Sequence, residues 1–134
     1  MNSSKTSRRD VYYTNDHEWI DFQGSVAYVG ICRFKLTGFK EVSKIKLAEP
    51  GDFIKKGDLI ATVMYKDYII TAAMPVNGRL IQINSKLSEE QNILAQDPEN
   101  SGWIAMIAPS QPYDRDGLMI AKQYQLNGKG KYAK

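Results

Sequence analysis

Cysteine and histidine are almost missing from this chain: its 134 residues include one of each, Cys32 and His17. A single cysteine excludes an intrachain disulfide and points to a reduced, cytoplasmic setting. A lone cysteine beside the apolar Val29-Gly30-Ile31 reads as a small core residue rather than a nucleophile. A single histidine leaves His-Cys and Ser-His-Asp arrangements with one available base. Long apolar runs are missing too, so no segment is expected to span a membrane, and residues 1–10 lack the apolar stretch of a secretory signal. Nor does charge of one sign dominate: 18 Lys and Arg against 15 Asp and Glu give a net charge of +3. Much of that excess lies at the ends, in Lys5, Arg8 and Arg9 and in Lys129, Lys131 and Lys134. A nucleic-acid binder carries a basic face interleaved with stacking aromatics, so neither nucleic acid nor membrane is an expected partner. Paired acid–base residues, metal-ligand spacing and a phosphate-binding glycine loop do not stand out, and the chain is expected not to be an enzyme.

What is present is a series of short strands punctuated by turns. Trp19, Ile20 and Phe22 mark one strand; Gln23-Gly24-Ser25 turns it into Val26 to Ile31. Cys32 to Phe39 suits a short helical turn. Val42 to Leu47 alternates apolar and polar residues, the period-2 mark of a half-buried strand. Pro50-Gly51-Asp52 and Lys56-Gly57-Asp58 are turn signals around the apolar link Phe53-Ile54. Arg79 to Asn84 is a further strand, Ser88 an expected cap for a short helix over 88–94, and Gly102 to Ile107 the last strand. Asp116 to Tyr124 is expected to form a terminal helix packing through Leu118, Met119, Ala121 and Tyr124.

The centre of the chain, Ala61 to Ala72, reads as a hairpin that is nearly its own mirror image. With Lys66-Asp67 as the turn, Tyr65 faces Tyr68, Met64 faces Ile69, Val63 faces Ile70 and Thr62 faces Thr71. Aromatic and β-branched pairs of this kind contribute roughly 0.2–1 kcal/mol each. Strand, proline-glycine turn and strand recur on both sides of the hairpin, which suggests two similar half-sheets packed as a small sandwich. Met64, Tyr65 and Tyr68 either form an exposed protein-contact patch or cover the top of the core. In His17-Glu18-Trp19, the expectation is a tryptophan packed in the core beside two polar neighbours. The domain is expected over 11–126, between flexible tails at 1–10 and 127–134.

Taken in order, several short motifs resemble the H protein of the glycine cleavage system, a lipoyl carrier related to lipoyl and biotinyl domains. They are Tyr13-Thr14-Asn15-Asp16-His17-Glu18-Trp19, Val29-Gly30-Ile31, Leu47 with Gly51-Asp52 and Gly57, Pro75-Val76-Asn77-Gly78, and Asp97-Pro98 followed by Gly102-Trp103. The resemblance runs from about Tyr12 to Pro112. It implies a mostly β fold, a small barrel-sandwich hybrid with short helices and a C-terminal helix, and no catalytic step of its own. Family members carry lipoate on a lysine in E-S-V-K-A, eight residues before the proline of P-V-S-G. In this chain that position is Asp67, and Met64-Tyr65-Lys66-Asp67 replaces E-S-V-K. Lipoylation needs a lysine amine, which Asp67 lacks; Lys66 keeps one, a residue away. Phe39-Lys40-Glu41, Lys46, Ala95 and Glu99 also depart from the family pattern. The resulting expectation is an H-protein-like interaction module with no prosthetic group, whose partners are glycine-cleavage or lipoate-handling enzymes or another protein. The alternative is an aminomethyl carrier with lipoate on Lys66.

Overall fold

The computed structural model describes residues 10–110 and 117–124. The tails expected at 1–10 and 127–134, Asp10 excepted, lie outside the described residues, as do Pro112 and Asp116. The strands are β1 (Val11–Tyr13), β2 (Glu18–Gln23), β3 (Val26–Ile31), β4 (Lys44–Leu47), β5 (Phe53–Ile54), β6 (Leu59–Tyr65), β7 (Tyr68–Ala73), β8 (Gly78–Ile83) and β9 (Ala105–Pro109). A 3-10 turn, Arg33–Leu36, follows β3 where a helical turn was expected. Two short helices, α1 (Lys86–Glu89) and α2 (Ile93–Gln96), precede β9.

The strands form two antiparallel sheets, one in the order β1-β2-β3-β9-β8-β5 and the other β4-β6-β7. The fold is mostly β, as expected, but the sheets are unequal. The N-terminal hairpin β2-β3 and the link Phe53-Ile54, which pairs with Arg79 and Gly78, all join the larger sheet. Apolar alternation then makes the core. Ile20, Phe22, Ala27, Val29, Ile31, Leu80, Ala105 and Ile107 from one sheet meet Ala61, Val63, Tyr65 and Ala72 from the other in one cluster.

Trp19 is buried, as expected, but lies outside that cluster. It shares strand parity with Asp21 and Gln23 rather than with Ile20 and Phe22, and so takes the opposite face of the sheet. There it lies on Gly30: a Cβ added at Gly30 would stand 2.6 Å from Trp19 Cζ2. Its Nε1 donates to the Pro98 carbonyl at 3.1 Å.

Helix boundaries differ more from expectation. Ser88 lies inside α1 rather than capping it, and Ser85, at the cap position, makes no side-chain cap bond. Glu90 leaves helical geometry (φ −130°, ψ 70°) and divides the segment in two. Asn92 directs its side chain elsewhere, accepting the Val42 N–H at 2.9 Å on Oδ1. Near the C-terminus, Met119 does not enter a helix but exchanges two backbone hydrogen bonds of 2.8 Å with Tyr13. Within 117–124, helical structure is confined to 121–124, because pairing with β1 holds the chain extended before it.

Candidate functional site

The central hairpin has the expected register: Tyr65 opposes Tyr68, Met64 Ile69, Val63 Ile70 and Thr62 Thr71. Lys66 and Asp67 are therefore a two-residue turn, and both are exposed. Lys66 takes the left-handed conformation (φ 56°); His17 is the other described non-glycine residue that does so. Such geometry disfavours a long L-side chain. It also swings the lysine back over its own strand, with Nζ 5.3 Å from the Tyr65 ring centroid.

Below the turn, Tyr65 and Tyr68 stack with centroids 6.4 Å apart and planes 13° from parallel. Phe39, from the segment after the 3-10 turn, packs on both, at 6.1 and 5.7 Å. The two tyrosines nevertheless differ in role. Tyr65 is 7% exposed and belongs to the core cluster, whereas Tyr68 is 53% exposed. Tyr65 is thus not part of an exposed patch; strand parity aims it inward with Val63 and Ala61. The accessible apolar residues beside the turn are Tyr68, the partly exposed Met64 and, paired with Met64, Ile69, which is 64% exposed. Ile69 was missed as a contact candidate, although its pairing with Met64 was legible. Lys44 and Lys46 continue the Met64 and Thr62 rows on β4.

A partly buried ion pair anchors the hairpin's outer strand. Glu18 accepts from Lys35 Nζ at 3.2 Å and from the Ala73 N–H at 3.0 Å on Oε2, and from Thr14 Oγ1 at 3.1 Å on Oε1. Lys35 Nζ also donates to the Thr71 carbonyl at 2.6 Å. Burial raises the Glu18 carboxyl above the usual glutamate range, opposed by the Ala73 N–H and by Lys35. Glu18 is 4% exposed, so its contribution is a clamp between β2 and β7 rather than an accessible acid. Lys35 carried no signal in the sequence that would have revealed this role.

His17 and Cys32 both meet Tyr124. His17 Nδ1 lies 2.6 Å from Tyr124 Oη, and the His17 and Phe34 rings are 4.9 Å apart. Tyr124 stacks on Tyr13 at 4.7 Å. Cys32 is fully buried, and burial pushes its thiol up to about 12, despite a hydrogen bond with Tyr124. Such a thiol carries negligible thiolate near neutrality. Among the described residues no cluster of His, Cys, Asp and Glu could hold a metal ion, and no helix is long and apolar enough to cross a membrane.

A family model described as Glycine cleavage H-protein matches residues 11–130. Among similar curated proteins, the glycine cleavage system H protein of Anaeromyxobacter sp. (strain K) is 34% identical over 116 residues, covering 87% of this chain and 91% of that protein. The mitochondrial glycine cleavage system H protein of Flaveria pubescens is 35% identical over 112 residues, covering 84% and 74%. In the solved structures, a glycine cleavage system H protein from Mycobacterium marinum superposes with a TM-score of 0.77 at 25% identity, covering 89% of this chain and 97% of that one. With motifs, sheet order and relatives in agreement, the chain belongs to the glycine cleavage H-protein family.

Proposed function

We propose that this chain is an H-protein-like binding module that has lost the lipoyl acceptor and contacts other proteins through the end of its central hairpin. One observation carries the reading: Asp67 occupies the second position of a two-residue turn whose flanking pairs are in unbroken register. The register supports placing the family's lipoyl lysine at position 67, because the turn has no spare residue to absorb a shift. The Asp67 carboxylate has no amine from which the lipoyl amide could form, so the prosthetic group does not fit there. Tyr68, Met64 and Ile69 supply apolar contact area around the charged tip. The domain spans 11–126 in this reading. Its setting is reducing and cytoplasmic, its partners are glycine-cleavage or lipoate-handling enzymes or another protein, and it performs no catalytic step itself.

The exposed amine of Lys66 favours a second reading, in which lipoate is carried there and the chain shuttles an aminomethyl group. Its left-handed backbone and its position over Tyr65 count against that reading. Intact mass spectrometry of protein from its native host separates the two. The expected mass is that of the unmodified chain, whereas a lipoyl adduct abolished by Lys66→Ala would establish the second reading. In the presence of a lipoate-attaching enzyme, Asp67→Lys is expected to gain the adduct.

A further inference from the structure

The smaller sheet ends in β4, and among the described residues no strand pairs with its outer side. The direction of its backbone groups follows from the register. Ala48, next after β4, donates its N–H to the Ile60 carbonyl at 2.9 Å, in step with the pairs Lys46–Thr62 and Lys44–Met64. Antiparallel strands alternate bonded and non-bonded pairs, so Ile45 and Leu47 turn their N–H and C=O groups away from β6. Asn92 closes only the start of this edge, where its Oδ1 accepts the Val42 N–H. Among the described residues no hydrogen bond takes the outward groups of Ile45 or Leu47. Side chains alternate along the same edge. Ile45 and Leu47 are half-buried and pack against the core, whereas Lys44 and Lys46 are exposed on the outer face. The strands β4, β6 and β7 contain no aspartate or glutamate, and these two lysines are their only charges. Neither lysine makes an ion pair among the described residues.

An edge with free backbone groups can take up a further strand. Opposed residues of paired strands share a face, so an added strand would set one row of side chains beside Ile45 and Leu47 and the other beside Lys44 and Lys46. Apolar residues suit the first row and carboxylates the second. Two copies of this edge would bring lysines together, so its charge selects an acidic strand against self-pairing. We propose that the β4 edge binds an extended protein segment of alternating acidic and apolar residues, which adds antiparallel to the sheet. The site uses neither the Lys66-Asp67 turn nor Tyr68, and so stands independently of the contact at the hairpin tip.

The isotopically labelled full chain would be titrated with the peptide acetyl-Glu-Val-Glu-Val-Glu-amide, following amide chemical shifts and hydrogen exchange. Saturable binding in roughly the millimolar range is expected, with exchange at the Ile45 and Leu47 amides slowed about tenfold or more at saturation. N-methylation of both peptide valines removes the N–H groups that would face β4 and is expected to weaken binding at least about tenfold. The basic peptide acetyl-Lys-Val-Lys-Val-Lys-amide is expected to bind at least about tenfold more weakly as well. Lys44→Glu/Lys46→Glu is expected to reverse the preference between the acidic and basic peptides. Far-ultraviolet circular dichroism shows whether that variant is folded; if it is not, Lys44→Gln/Lys46→Gln replaces it and is expected to weaken the acidic peptide about fivefold. Absence of saturation to about 20 mM, equal binding of the N-methylated peptide, an unchanged preference in the folded variant, or shifts confined to Tyr68 and Ile69 would overturn the proposal.

Discussion

At the residue scale, Glu18 shows how a conspicuous motif can serve architecture. Its carboxylate is nearly sealed from solvent, yet it accepts from Thr14, Lys35 and Ala73. Because burial raises its folded-state pKa, the native protein holds this proton more tightly than the unfolded chain. The contribution of Glu18 to stability therefore falls as pH rises from the ordinary glutamate value through the raised folded value. Lys35 limits the loss by supplying a cation. Lys35→Met is expected to cost about 2 kcal/mol at pH 7 and much less at pH 4, where Glu18 is protonated. Urea unfolding at the two pH values measures the difference; an equal cost at both would assign the stabilisation to the Lys35–Thr71 bond instead.

At the scale of the element, the central hairpin combines a buried side with an accessible one. Tyr65 continues the inward row of Ala61 and Val63, whereas Tyr68 sits at the tip with one face toward Phe39 and much of its surface in solvent. Tyr65→Ala should therefore lower the unfolding free energy by about 3 kcal/mol, as large-to-small core changes do. Tyr68→Ala should change it by less than about 1 kcal/mol while weakening whatever protein docks at the tip. Denaturant midpoints and binding by the same two variants test this division. If Tyr68→Ala proved as destabilising as Tyr65→Ala, the tip would be a core cap and not a contact surface.

At the scale of the whole molecule, the chain end near 117–124 closes over residues that sequence places far away. Met119 pairs with Tyr13, while the Tyr124 hydroxyl meets His17 and Cys32. Both Cys32 and the Tyr124 phenol have raised pKa values, primarily because of burial. Cys32 should react with a thiol reagent at pH 7 only on opening, so native protein is expected to label far more slowly than urea-unfolded protein. Tyr124→Ala is expected to raise the native rate at least about tenfold by uncovering the thiol and relieving the burial that raises its pKa, which outweighs the loss of the Tyr124 hydrogen bond. An unchanged rate would mean that the sheet alone protects Cys32.

Much of the fold was already legible as sequence because its determinants are local. The apolar residues Trp19, Ile20 and Phe22, the period-2 alternation of Lys44–Leu47 and the palindromic pairs flanking Lys66-Asp67 specify strands and register through side-chain direction and turn length. Ser88 shows the limit of local signals. A serine before two acids resembles a cap, but the helix breaks at Glu90 and Asn92 instead bonds to distant Val42. At the candidate site, Asp67 and its missing amine could be read directly, since the capacity to form an amide belongs to a residue's own chemistry. Which tyrosine is accessible, why Lys35 matters, and which side of β4 stays unpaired were decided only in three dimensions. Each depends on groups brought together by sheet order and burial, and spacing along the chain does not encode those distances.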